Sequence, residues 1–378
     1  TGKEHAALAR SLAAESVVLL QNEGGVLPLV GGAAVVRTIA VVGAASVARP
    51  YNPNGQGQGQ GDWAQGDYYA GGGSGHVVAG QVVKTLDGLR RRADTAGIRV
   101  ISSPTNDIPA GIAAAQQADV TIVVGGTTSG ESRDREGLHL DGSVDMLITD
   151  VSLAAKKTVV LVQAPGGVVM PWRSWVDSIA VMFLGGQETG TAWADMLFGD
   201  HAPTGRLPIM MPLSEEDAIR PATSLRIEYA EGLETSYRSK KFKAAYPFGH
   251  GLTYTSFEYL PLSEVPCPGT GAGGGGAGSA VLCVLARVRN AGARAGRTVA
   301  QLYLELSPEA GHPRSLLKGF QKTKIIPAGE VSEVTFRLTA RDLSYYDAAT
   351  GGWKRAAGAT AHVGESSADL RQTLQLPI

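Results

Sequence analysis

The chain has 378 residues, of which 34 are basic and 35 acidic, so its formal net charge is -1 and gives no basic surplus for binding nucleic acid. Hydrophobic residues make up 43% of the chain, which is enough for a packed core and excludes global disorder. The length predicts about two or three domains, no apolar run reaches the roughly 18 residues of a membrane helix, and 2 cysteines are too few for a disulfide scaffold.

Helix-like and strand-like segments alternate through the N-terminal half of the chain. Glu4–Leu20 predicts a helix that runs into a core segment. Continuous apolar runs, typical of strands buried on both faces, follow at Thr38–Val42, Ile98–Ile101, Val120–Val124, Thr158–Val162 and Ile179–Phe183. Helices are predicted between them at Val78–Ala96, Ala110–Gln117, Ser143–Ala155 and Thr189–Phe198.

This alternation predicts an α/β fold, an open and mainly parallel α/β sandwich. Ligands of such sheets bind outside the carboxyl ends of the strands. The loops at that edge follow Val42, Val124 and Val162, and they are rich in Gly and polar residues. We therefore expect the functional site in these loops.

The C-terminal part of the chain has a different pattern. From about Leu213 to Tyr259 the periodicity fades, which indicates a connector, and Gly269–Ala280 is a Gly-rich stretch typical of a surface loop or hairpin tip. From Val281 onwards, short alternating segments separated by turn residues predict an antiparallel β-sandwich of about 100 residues. Cys267 and Cys283 flank the Gly-rich stretch, and both a disulfide and two free thiols are compatible with this spacing.

Several familiar motifs are absent. The segment Gly71–His76 (GGGSGH) departs from the dinucleotide fingerprint and from the nucleophile elbow at its last position, and Gln56–Gly61 (QGQGQG) also misses the fingerprint. The sequence contains no P-loop, and its 7 histidines are too scattered for a structural zinc site. We expect no metal and no cofactor.

A cluster of charged residues follows the third predicted strand directly. Within Gly126–Gly142 it places Glu131, Arg133, Asp134, Arg135 and Glu136 in one Gly-flanked loop at the expected ligand edge. Such a loop is often only a solvated surface. Its position also suits a general acid, whose carboxyl pKa would have to be raised by burial or by a second carboxylate.

Long collinear segments resemble the C-terminal half of family 3 glycoside hydrolases, the β-glucosidase and β-xylosidase family. The resemblance rests on ESVVLLQNEGGVLPL, GDW, GGGSGHV, ADVTIVVGGTTSGESRDREGLHL, GGQETGTAWADMLFGDHAPTGRLPIMMP, YAEGLETSYR, YPFGHGLTYTSFEY and the C-terminal VRNAGARAGRTVAQLYLEL. It covers essentially the whole chain. It implies a lead-in helix and linker over 1–35, an α/β sandwich over 36–213, a connector over 214–260 and a fibronectin type III-like β-sandwich over 261–378.

The resemblance also implies a retaining glycosidase with two carboxyl groups. The family's EGxDR motif falls on residues 131–135, which makes Glu131 the candidate acid/base, with Glu136 as second choice and Ser132 in place of the usual Gly. The candidate substrate-binding residues are Asp62, Trp63, Ser74, Asp134 and Arg135. In this family the nucleophile is an Asp on an N-terminal (β/α)8 barrel, a unit of about 250 residues for which this chain has no room.

We therefore expect the C-terminal chain of an exo-acting β-glucosidase-like hydrolase whose barrel half lies elsewhere. Its expected partners are a β-linked glucoside or oligosaccharide and the barrel chain, with no nucleic acid and no membrane span, and the sequence leaves a homo-oligomer open. The family likeness favours an extracellular or vacuolar, lysosomal-type compartment. The alternative is a non-catalytic carbohydrate-binding or assembly subunit that kept the fold and lost the reaction.

Overall fold

A computed structural model of the protein describes residues 2–33, 35–51, 66–219, 224–267 and 280–378. The chain divides into two compact units. The first comprises Thr1–Arg206 and Met211–Glu216, and the second comprises Leu207–Met210 and Asp217–Ile378. Among the described residues, no helix is both long enough and apolar enough to cross a membrane.

In the part of the chain that the structure describes, the first unit has five α-helices around one six-stranded sheet. The helices are α1 (Lys3–Ser16), α2 (Thr85–Ala96), α3 (Ile108–Ala115), α4 (Val144–Ala154) and α5 (Thr189–Phe198). The strands of the sheet are β1 (Val18–Asn22), β2 (Thr38–Val42), β3 (Arg99–Ser103), β4 (Val120–Gly126), β5 (Thr158–Gln163) and β6 (Ser178–Met182); a short strand, β7 (Met211–Pro212), lies outside it.

The strand order is β1-β6-β5-β4-β2-β3, and every pair except β1–β6 is parallel. The central strands β4 and β5 are buried along their whole length, as expected for apolar runs covered by helices on both faces. The predicted mainly parallel α/β fold is confirmed.

Two predicted helix boundaries are wrong, each for a physical reason. The helix expected over Glu4–Leu20 ends at Ser16, because the apolar residues 17–20 are all buried and Val18–Asn22 pairs antiparallel with β6 as the edge strand of the sheet. The helix expected from Val78 begins at Thr85. Val83 donates its N–H to Gln187 O at 2.8 Å and accepts from Gly190 N at 2.9 Å, so its backbone is hydrogen-bonded to the loop after β6 and to the first turn of α5.

The order of the strands reverses between β2 and β4. From β2 the chain crosses to β3 on one side of the sheet, and the next strand, β4, returns to the other side of β2. Such a reversal leaves a crevice at the carboxyl ends of the two strands, where ligands of open α/β sheets bind. The two loops that border this crevice are those containing Ser74 and Glu131.

The second unit contains an antiparallel β-sandwich. The described strands of this unit, in chain order, are β8 (Ala244–Tyr246), β9 (Phe257–Tyr259), β10 (Ser263–Val265), β11 (Ala280–Asn290), β12 (Val299–Leu306), β13 (Leu316–Lys322), β14 (Val331–Thr339), β15 (Ser344–Asp347), β16 (Gly352–Arg355), β17 (Ala359–Ser366) and β18 (Asp369–Leu376). The strand β8 lies outside the sandwich sheets. One sheet has β11 between β14 and the pair β9 and β10, the other has the order β13-β12-β17-β18, and β15 pairs with β16.

Alternating residues of the two sheets form the core of the sandwich. On β11, Leu282, Val284, Ala286 and Val288 are buried. The predicted antiparallel sandwich is confirmed. Cys267 and Cys283 form a disulfide with a Cα–Cα distance of 5.2 Å. Most of the Gly-rich stretch Gly269–Ala280, predicted as a loop or hairpin tip, lies outside the described residues.

Candidate active site

The loops after β2 and β4 are joined by backbone hydrogen bonds at the carboxyl edge of the sheet. Gly72 donates its N–H to Ser129 O at 2.8 Å and accepts from Glu131 N at 3.2 Å, which forms a parallel bridge between Gly72 and Gly130. The two loops therefore form one ordered layer over the crevice. This bridge fixes the backbone of Glu131 relative to that of Gly72.

Glu131 and Ser74 are in direct contact across this layer, and both are exposed to solvent. The Ser74 N–H donates to Oε2 of Glu131 at 2.7 Å, and the Ser74 hydroxyl donates to the same oxygen at 2.5 Å. These hydrogen bonds, the hydroxyl's first and the N–H's second, lower the pKa of the Glu131 carboxyl. In this chain Glu131 is therefore an ionised carboxylate near neutral pH.

Gly73 is required for this approach. It has a φ of 99°, a backbone conformation that favours glycine. A Cβ at this position would lie 2.2 Å from Cβ of Glu131 and 2.9 Å from its Oε2. The absence of a side chain at Gly73 is therefore what lets the loop after β2 touch the Glu131 side chain.

A tight turn presents Glu131 at its tip. Arg133 donates its N–H to Gly130 O at 3.2 Å and closes the turn, and Ser132 has a φ of 60°. This is the left-handed region, which costs a residue with a side chain about 1–2 kcal/mol. Ser132 therefore adopts a backbone conformation that favours Gly, the residue that the resemblance described above leads us to expect at this position.

Further hydrogen bonds brace the segment that carries Ser74. Asp67 accepts the N–H groups of Tyr51, Tyr69 and Ala70, each at 2.7 Å. His76 donates its N–H to Gly73 O at 3.0 Å, so a turn encloses Ser74. Tyr69 O accepts from Gly186 N at 3.0 Å, which ties the same segment to the loop after β6.

The other charged residues of the loop after β4 point in different directions. Arg135 is half-buried and donates to Gly167 O at 2.8 Å, in the loop after β5, and burial lowers the pKa of its guanidinium. Asp134 and Glu136 are exposed, and neither makes a hydrogen bond or ion pair with a residue that the structure describes. Of the predicted site residues, the structure thus brings Ser74 to Glu131, places Arg135 against a neighbouring loop and leaves Asp134 in solvent.

Two predicted substrate-binding residues, Asp62 and Trp63, lie outside the described residues. Within the described ranges, no group of three or more His, Cys, Asp and Glu side chains is placed to hold a metal ion.

The sequence did not single out two residues that shape the site. Gly73 has no side chain, so a search for titratable side chains passes over it. The Asp67 carboxylate acts on backbone N–H groups, a role that no motif in the sequence marks. The signal that could have found Gly73 is the run of three glycines before Ser74, since such runs mark a close approach of backbone to another group.

Comparison with known proteins identifies the family. Residues 17–254 match the description "Glycosyl hydrolase family 3 C-terminal domain", and residues 298–367 match "Fibronectin type III-like domain". The chain belongs to glycosyl hydrolase family 3, and the predicted resemblance is confirmed.

Individual relatives agree with this assignment. The probable beta-glucosidase L of Emericella nidulans is 36% identical over 401 residues, which cover 99% of this chain and 53% of that protein. The thermostable beta-glucosidase B of Acetivibrio thermocellus is 31% identical, with coverages of 97% and 47%.

Solved structures show the same fold. A beta-glucosidase from Chaetomella raphigera has a TM-score of 0.86 at 30% identity, covering 99% of this chain and 55% of that one. Beta-glucosidase 3B from Thermotoga neapolitana, in complex with glucose, has a TM-score of 0.81 at 27% identity, with coverages of 99% and 54%. The chain thus spans about half the length of the relatives it matches.

Proposed function

We propose that this chain is the C-terminal half of a retaining, exo-acting β-glucosidase-like hydrolase, and that Glu131 is its acid/base. One observation carries the proposal: Glu131 stands at the tip of an ordered turn, at the strand-order reversal, with Ser74 hydrogen-bonded to it. A carboxyl that was merely part of a solvated surface would not need a neighbouring loop shaped around it by Gly73.

The nucleophile of this reaction is expected to come from an Asp on a (β/α)8 barrel outside this chain. A retaining mechanism requires two carboxyl groups about 5–5.5 Å apart. Glu131 would protonate the leaving oxygen while the barrel Asp bonds to the anomeric carbon. It would then take a proton from the water that releases the sugar. The beta-glucosidase names of the relatives support a terminal β-D-glucosyl residue as the substrate.

The lowered pKa of Glu131 fits an active site that lacks its barrel residues better than a complete active site. A general acid must be protonated when its substrate arrives, and the hydrogen bonds from Ser74 favour the ionised form. Two influences would raise this pKa in the assembled enzyme: removal of water when barrel and substrate cover the exposed carboxylate, and the negative charge of the barrel nucleophile. We therefore expect this chain to be inactive without its barrel.

Asp62, Trp63, Ser74, Asp134 and Arg135 are proposed to contribute to sugar binding. For Arg135 the support lies in its reach to the loop after β5, which it ties to the turn carrying Glu131. An extracellular or vacuolar, lysosomal-type location is also proposed. Its support is the Cys267–Cys283 disulfide, since such bonds persist mainly in oxidising compartments.

The test is Glu131→Gln in the enzyme assembled with its barrel, assayed beside Glu136→Gln. The two carboxylates lie in the same loop, and both are exposed. Loss of the acid/base should lower kcat for a β-glucoside with a poor leaving group by about 10²–10⁴-fold, whereas Glu136→Gln should remain near wild type. Full activity of Glu131→Gln would remove this residue from the mechanism and favour the non-catalytic subunit. A large loss in Glu136→Gln alone would move the assignment to Glu136.

A further inference from the structure

The two oxygens of the Glu131 carboxylate have different surroundings. Both hydrogen bonds from Ser74, from its N–H and from its hydroxyl, end on Oε2. Among the residues that the structure describes, Oε1 has no hydrogen-bond donor, and the side chain is exposed. One oxygen is therefore held by the protein, and the other is available to a reactant.

We propose that Ser74 is a positioning residue that anchors Oε2 of Glu131, so that Oε1 is the oxygen that gives and takes the proton. This inference rests on the proposed function of Glu131. It adds to that function the identity of the reacting oxygen and the residue that selects it.

The directions of the hydrogen bonds support this division. Oε2 accepts from two donors, and one of them, the backbone N–H, can only donate. A proton on Oε2 would face that N–H and break at least one of the two bonds. Protonation of Oε1 leaves both bonds in place, because Oε2 then becomes the carbonyl oxygen of the acid and still accepts.

The backbone holds the anchor rigidly. The turn closed by His76 N and Gly73 O keeps the Ser74 N–H pointing towards Glu131, and the Gly72–Gly130 bridge fixes the distance between the two loops. A side chain held in this way loses little rotamer freedom when the substrate arrives.

Both chemical steps then run through Oε1. In the first step the Oε1–H bond breaks, its proton passes to the glycosidic oxygen, and the leaving group departs as an alcohol while the barrel carboxylate bonds to the anomeric carbon. In the second step a water O–H bond breaks and its proton returns to Oε1. The water oxygen bonds to the anomeric carbon, and the bond to the barrel carboxylate breaks.

The first arm of the test uses the 378-residue chain itself and needs no catalysis. With carboxyl-¹³C glutamate, the Glu131 resonance is assigned by its loss in Glu131→Gln and is followed against pH. We expect Ser74→Ala to raise the pKa of Glu131, since one of two donors to the ionised form is lost, and Ser74→Thr to restore it. Ser132→Ala is the matched control, because the Ser132 hydroxyl makes no hydrogen bond with a described residue. An unchanged pKa in Ser74→Ala overturns the proposal.

The second arm uses the assembled enzyme. The basic limb of the kcat/KM profile reports the acid of the free enzyme, so Ser74→Ala should move this limb to higher pH and lower kcat by about tenfold, with Ser74→Thr close to wild type. A fall in kcat with an unmoved limb would indicate a purely structural role and overturn the proposal. Wild-type activity of Glu131→Gln in the assembled enzyme would instead contradict the proposed function. The first arm would still detect the hydrogen bonds between Ser74 and Glu131, so the two failures can be distinguished.

Discussion

Replacement of Gly73 by Ala should disable the site without unfolding the protein. The new Cβ would lie 2.2 Å from Cβ of Glu131, whereas carbon atoms in contact are about 3.5–4.0 Å apart. The Glu131 side chain or its loop must therefore move by more than about 1 Å, and a misplacement of this size costs about 10²-fold in rate. The φ of 99° adds backbone strain, typically about 1–3 kcal/mol for a residue with a side chain.

Gly75→Ala is the matched control in the same loop. A Cβ at Gly75 meets no heavy atom within 4 Å, and its φ lies outside the left-handed range. We expect kcat/KM for 4-nitrophenyl β-D-glucoside, measured on the enzyme assembled with its barrel, to fall about 10²-fold in Gly73→Ala and to stay near wild type in Gly75→Ala. Near-UV circular dichroism should be unchanged in both. Activity of Gly73→Ala within about twofold of wild type, or an equal loss in Gly75→Ala, would refute the close approach as the reason for this glycine.

Two further predictions concern stability. Ser132→Gly should relieve left-handed backbone strain of about 1–2 kcal/mol, at a cost of about 0.4–1 kcal/mol in the conformational entropy of the unfolded chain. The urea midpoint of the first unit should therefore rise slightly in Ser132→Gly and should not rise in Ser132→Ala. Equal midpoints for the Gly and Ala variants would contradict the strain at Ser132. Removing the disulfide with Cys267→Ala and Cys283→Ala should destabilise the β-sandwich by about 3 kcal/mol, as expected for a bridge with a sequence separation of 16. A reductant should then lower the unfolding midpoint of the wild type but not that of the double variant, and a wild type insensitive to reductant would argue against the bridge.

The sequence predicted the buried parallel strands well. Runs such as Val120–Val124 and Thr158–Val162 are apolar except for one Thr each, and a strand covered on both faces buries every residue of such a run. The alternation on β11 likewise predicted a sandwich strand, with Leu282 and Val284 in the core and Arg287 exposed. The local hydrophobic pattern was sufficient to predict a strand wherever the apolar positions in the sequence are the ones that the fold buries.

The failures arose where distant residues decide the local structure. Residues 78–84 have a helical pattern, but the backbone of Val83 pairs with Gln187 and Gly190, which lie more than a hundred positions away in the sequence. The bridge between Gly72 and Gly130 is equally invisible to local pattern. At the site, motif comparison could name Glu131 and Ser74 separately, whereas their shared hydrogen bonds at Oε2 follow only from the folded loops.

The most direct test of Glu131 as the acid/base of a retaining hydrolase is azide rescue of Glu131→Ala in the assembled enzyme. With 2,4-dinitrophenyl β-D-glucoside the leaving group needs no proton, so the first step proceeds and the covalent intermediate waits for a nucleophile. We expect azide, which needs no general base, to enter the space left by Glu131, raise kcat and yield the β-glucosyl azide. Wild-type hydrolysis without azide, or no β-glucosyl azide in its presence, would contradict the assignment.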